Sequence, residues 1–110
     1  MAKVAVESVS DVYVDLGEER TIRVLHVDDD AGFLDVARQC LEEQGELQVD
    51  TALSVKEALE KLKRSEYDVI VSDYQMSGKN GLELLRELRQ RGNDVPFYIV
   101  HMQRQRGNRH

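Results

Sequence analysis

Tyr67-Asp68-Val69-Ile70-Val71-Ser72-Asp73-Tyr74-Gln75-Met76-Ser77-Gly78-Lys79-Asn80-Gly81 is the stretch from which the fold is read. An apolar run ends in a carboxylate, and a loop with two glycines follows. Upstream, the run Ile22 to Val27 ends in three more carboxylates, Asp28, Asp29 and Asp30. Two strands that each deliver carboxylates at their C-terminal ends can build one anionic pocket, and in an open parallel sheet that edge is where ligands bind. A pocket of this kind suits a hard divalent cation, foremost Mg²⁺. With such a cation in place, one carboxylate can act as a nucleophile toward a phosphoryl group.

Working outward, apolar periodicity sets the other elements. Ile22 to Val27 reads as a mostly buried strand, and Asp29 or Asp30 can cap the helix after it. That helix carries Phe33, Leu34, Ala37 and Leu41 at three- and four-residue spacing and stops at Gly45. Leu47 to Ala52 alternates as a second strand. Ser54 with Glu57 forms a capping-box pattern ahead of the stripe Val55, Ala58, Leu59 and Leu62. Asp68 to Asp73 is the third strand; Leu82, Leu85 and Leu88 mark a third helix ending near Gly92; Pro96 to Val100 is the fourth strand. The order β-α-β-α-β-α-β with short loops requires parallel strands, right-handed crossovers and helices on both sheet faces. The expected architecture is a three-layer α/β/α, doubly wound parallel sheet.

The 110 residues make one small domain. Apolar content of 41% and charged content of 33% fit a globular chain. A net charge of -6 argues against a nucleic-acid partner, and the basic residues Arg104, Arg106 and Arg109 cluster at the terminus. No run approaches a membrane span, and no signal-peptide pattern opens the chain, so a cytoplasmic location is expected. Cys40, alone, reads as a small core residue on the first helix. His26 reads as a core histidine and Met76 as packing. Residues 1–20 read equally as a leader or as an added edge segment, residues 21–100 as the domain and residues 101–110 as an aberrant polar tail.

From about Thr21 to Val100 the chain resembles the receiver domain of two-component response regulators, particularly archaeal members. The resemblance rests on Val24-Leu25-His26-Val27-Asp28-Asp29-Asp30, on Asp68-Val69-Ile70-Val71-Ser72-Asp73, on Met76 to Leu85 and on Gly92-Asn93-Asp94-Val95-Pro96-Phe97. It implies a flavodoxin-like sheet of five strands in order 2-1-3-4-5 with five helices. It implies phosphorylation of Asp73 by a sensor histidine kinase or phosphotransfer protein. Asp28, Asp29 and Asp73 would hold Mg²⁺, with Asp29 the nearer ligand of the acid pair and the backbone carbonyl of Gln75 completing the set. Such a module is a signalling switch rather than a turnover enzyme.

The chain departs from that pattern in three places. Ser77 stands where the family has proline, with little functional effect expected. His101 stands where the family has Ser or Thr. The fourth helix, the fifth strand with its lysine and the fifth helix have no counterpart, so the domain reads as truncated after the fourth strand. The segment His101 to His110 lacks apolar periodicity and reads as a reading-frame shift near Val100, which the coding DNA decides. A strand left as an exposed apolar edge invites a homodimer. Two other readings stand beside the phosphoacceptor. One is a degenerate receiver that binds partners without phosphorylation. The other is a haloacid dehalogenase-type phosphatase with Asp28 as nucleophile and Asp30 as acid/base.

Overall fold

Four parallel strands form the sheet that carries the acidic residues. The computed structural model describes residues 3–5, 13–15 and 21–101. Two short strands, β1 (Lys3–Ala5) and β2 (Tyr13–Asp15), pair antiparallel with each other. Among the described residues they form a two-stranded sheet of their own, and the main sheet has the order β4-β3-β5-β6. Its elements follow as β3 (Ile22–Val27), α1 (Ala31–Glu42), β4 (Leu47–Ala52), α2 (Val55–Arg64), β5 (Val69–Asp73), α3 (Gly81–Gln90) and β6 (Phe97–Val100). The expected β-α-β-α-β-α-β order and parallel pairing are both present. The sequence read strands three and four one residue too long, at Asp68 and Pro96. The Asp68 amide donates to Arg23 O, but the Arg23 amide donates to the Asp68 carboxylate; Pro96 O accepts from the Ile70 amide, but Pro96 has no N–H to donate. The polar tail lies outside the described residues beyond His101.

Alternation along β3 sorts the two faces. Leu25 and Val27 join Ala52, Ile70, Val55 and Ala58 of α2, and Leu84 and Leu88 of α3, in one buried cluster. Val24 and His26 point the other way, where the His26 ring meets Phe33 of α1 edge-on at 5.8 Å. Thus α1 covers one face, and α2 with α3 the other. The long buried run Val24–Asp28 follows from that double cover.

Helix starts obey local chemistry. Asp30, rather than Asp29, caps α1 by accepting from the Phe33 amide. Ser54 caps α2, but Glu57 reaches back to the Leu53 amide instead of closing a full box. The complete box belongs to α3, between Asn80 and Glu83, where the sequence reading had none. The α3 stripe is also shifted: Gly81, Leu84 and Leu88 are the buried positions, at three- and four-residue spacing. Leu82 and Leu85 are only half-buried. Cys40 is exposed, not core. It lies six residues past the buried Leu34, which at 3.6 residues per turn carries it about 120° round the helix.

At the far end of the sheet from the acid pocket, Tyr67 donates its hydroxyl to Asp50 at 2.6 Å, while Arg23 lies over the Tyr67 ring. Burial first, and then the bond to Asp50, push the phenol up to about 12. A raised folded value means that this contribution to stability is present below the ordinary phenol pKa of about 10 and is lost as pH rises toward 12. Alkaline unfolding curves should therefore show a loss of stability between about pH 10 and pH 12. Tyr67→Phe should lower stability at neutral pH by about 1 kcal/mol and flatten that loss, as read by circular dichroism melts.

Candidate functional site

Strand register builds the site. Val27 of β3 pairs with Ser72 of β5, so Asp28 and Asp73, one residue on, emerge side by side. Asp73 also ends opposite Val100 of β6. Both carboxylates continue the face of His26 and Val71. Asp28 is 2% exposed and Asp73 is 7% exposed. Asp29 is half-buried. One carboxylate oxygen from each of Asp28, Asp29 and Asp73 lies within 4.8 Å of the others. Three of the four residues expected in the metal set are thereby brought together. Gln75 sits exposed in the loop two residues after Asp73.

The backbone around these acids is pinned. The Asp28 amide donates to Ala52 O at 3.0 Å, and Asp28 Oδ1 accepts from the Asp30 amide at 2.9 Å. The Ser72 hydroxyl donates to the Asp73 carbonyl at 2.9 Å. Tyr74 donates its amide to Val100 O, and Gly81 donates to Tyr74 O. Asp30 is spent as the α1 cap and stays outside the acid cluster. His101 lies exposed, its ring edge-on to Tyr74 at 5.8 Å.

Ser77 was underrated in the sequence. Its amide donates to Asp29 Oδ2 at 2.9 Å, and its hydroxyl lies 3.3 Å from the same oxygen. A proline there would supply neither donor. The loop after β5 is thus tied directly to the acid pair. The signal was available: serine places two donors one loop away from three carboxylates. Gly78 turns that loop at φ +81°, a backbone region that favours glycine.

Electrostatically, the cluster stores repulsion. Two unit negative charges at about this separation repel by on the order of 3 kcal/mol at an effective dielectric near 20. Oxygen donors, negative charge and a partly open third carboxylate fit a hard cation, which would offset that repulsion. A cavity of about 200 Å³ adjoins the acids, lined by His26, Asp28, Phe33, Val71, Asp73 and Val100. The arrangement can hold a cation beside the nearly buried Asp73 carboxylate.

A parallel sheet covered by helices on both faces, with a carboxylate cluster at its C-terminal edge, defines an α/β module with a candidate cation site. The profile of the response regulator receiver domain matches residues 24–109, and the chain belongs to that family. It is 39% identical over 80 residues to a protein-glutamate methylesterase/protein-glutamine glutaminase of Treponema denticola, covering 72% of this chain and 22% of that protein. It is 37% identical over 79 residues to response regulator MprA of Mycobacterium leprae, covering 72% and 34%. The chain therefore spans between about a fifth and a third of the length of these curated relatives. Among solved structures, the receiver domain of Francisella response regulator 1452 matches with TM-score 0.69 and 33% identity, over 74% of this chain and 66% of that one. Response regulator TrrA of Thermotoga maritima, in complex with Mg²⁺-BeF, matches with TM-score 0.63 and 33% identity, over 74% and 68%. The receiver resemblance and its fold are borne out. Nothing in the geometry or in these relatives favours the phosphatase or the degenerate reading.

Gly81 packs closely against the end of β5 at Asp73. A Cβ there would lie 2.5 Å from the Asp73 carbonyl oxygen and 2.9 Å from the Ser72 hydroxyl. Gly81→Ala should therefore push the end of β5 outward, costing about 1–3 kcal/mol. Divalent-cation affinity should fall alongside stability. Chemical denaturation and calorimetric cation titration of the same variant would check both.

Proposed function

We propose that Asp73 accepts a phosphoryl group, with Asp28 and Asp29 holding Mg²⁺ beside it and the Gln75 carbonyl as a further ligand. The convergence of the three carboxylates within 4.8 Å carries this reading. An Asp73 oxygen attacks the phosphorus of a phosphohistidine on a sensor histidine kinase or phosphotransfer protein. The phosphorus–nitrogen bond breaks, and the electron pair leaves with the imidazole, which takes up a proton. The bound cation supplies charge neutralisation during this transfer. Asp28, held by the Asp30 amide, and Asp29, held by Ser77, keep their oxygens aimed at the shared site. The sunken position of Asp73 limits water around the nucleophile.

The product gains roughly 1.5 to 2 negative charges, by analogy with other phosphorylated side chains. That charge arises beside Asp29, to which Ser77 is hydrogen-bonded, which makes the Ser77 loop a natural responder. The chain acts as a signalling switch and not as a turnover enzyme, and it works in the cytoplasm without nucleic-acid contact. No helix among the described residues is long and apolar enough to cross a membrane. Intact mass after incubation with acetyl phosphate and Mg²⁺ should rise by one phosphoryl group. Asp73→Asn and omission of the cation should each abolish the gain; a folded chain with no gain would refute the phosphoacceptor reading.

A homodimer through β6 belongs to the same proposal. Among the described residues β6 is a sheet edge, with Tyr98 62% and Ile99 36% exposed on opposite faces. Unpaired edges with apolar side chains recruit another strand. Sedimentation should show a dimer that dissociates in Tyr98→Lys/Ile99→Lys; an unchanged distribution would remove β6 from the interface.

A further inference from the structure

Between α2 and α3 runs an open groove of about 660 Å³. Val55 and Leu59 form an apolar floor. Lys56 and Lys63 of α2, Lys79 of the β5–α3 loop and Arg91 at the end of α3 line its walls. Glu60 is the carboxylate in that lining. Glu87 lies beside it, 3.6 Å from Lys79 and 2.7 Å from Arg91. The Arg91 guanidinium holds the Glu87 carboxyl below its usual range, so the two cations stay braced by a charged partner. Among the described residues, Lys56 and Lys63 have no ion pair.

This cationic strip stands on a chain of net charge -6. A local field opposite in sign to the whole protein selects acidic partners and orients them on approach. A bare anion would leave the apolar floor unused. A helix with an apolar stripe flanked by carboxylates would use both floor and walls, with lysine stems packing along it. We propose that the α2–α3 groove docks an acidic amphipathic helical segment of a partner protein. Ser77 lines the groove and also holds Asp29, so the docking wall ends one hydrogen bond from the acid cluster. The docking itself does not depend on phosphoryl transfer.

The test uses the full isotope-labelled chain and a synthetic peptide about four helical turns long. Its leucines recur at three- and four-residue spacing, and glutamates fill the flanks. Amide shifts should cluster at Ser54–Glu60 and Ser77–Lys79, and affinity should fall with added salt. Lys56→Glu/Lys63→Glu should weaken binding roughly tenfold or more, while Arg86→Glu, exposed on α3 outside the groove, should change it less than about twofold. A peptide of the same composition in scrambled order should bind at least roughly tenfold more weakly. Four results would each overturn the proposal: no shifts, shifts mapping elsewhere, an equal effect of Arg86→Glu, or equal binding of the scrambled peptide. Inorganic phosphate reproducing the same map at the same affinity would overturn it in favour of simple anion binding. Should the double variant fail to fold, the shift map and the scrambled peptide on the native chain decide alone.

Discussion

Three carboxylates held within 4.8 Å of one another impose the constraint that organises this protein. Two of them are nearly buried, where like charges repel strongly and water offers little screening. The fold tolerates this because the backbone, not the side chains, sets their positions. Parallel pairing of Val27 with Ser72 brings Asp28 level with Asp73. The Asp28 amide is anchored to Ala52, and Tyr74, directly after Asp73, is anchored to Val100. Moving these carboxylates apart would need the sheet itself to shift.

Around that core, hydrogen bonds from the loops hold the acids in place. Ser77 and the Asp30 amide donate neutral hydrogen bonds to Asp29 and Asp28. Gly81 lets α3 begin against the Asp73 carbonyl at a distance no side chain would allow. The same helix start is closed by the Asn80–Glu83 box. A local capping motif and a close tertiary approach thus coincide on adjacent residues, which couples the position of α3 to that of Asp73. Lys79 before α3 and Arg91 at its end contribute to a cationic groove.

Much of this was legible in the residues. Runs such as Val24–Val27 and Val69–Ser72 signal doubly covered strands because both faces must be apolar. Carboxylates at their ends signal a site because an open parallel sheet exposes that edge. Periodicity was a weaker guide on the helices. The α3 stripe was read as Leu82, Leu85 and Leu88, whereas Leu84 is buried in place of Leu82 and Leu85. Four leucines crowd that helix, and several faces look equally apolar in sequence. Cys40 was misplaced because its neighbours at short spacing sit on the buried side while the helix has already turned it to solvent. The pairing of β1 with β2 alone was likewise unreadable, since alternation marks a strand but not its neighbour.

The amino-acid sequence by itself determined the order of strands and helices, their parallel sense and which four acids stand at strand ends, because periodicity and turn chemistry are local. It also determined the capping roles of Ser54 and one of the two candidate aspartates before α1. Only the tertiary structure decided that Asp30 spends its carboxylate on the helix while Asp29 turns to Ser77. It alone gathered Lys56, Lys63, Lys79 and Arg91 around one apolar floor. The reason is physical: residues far apart in the chain meet according to sheet register and helix packing, and neither is encoded in any single stretch.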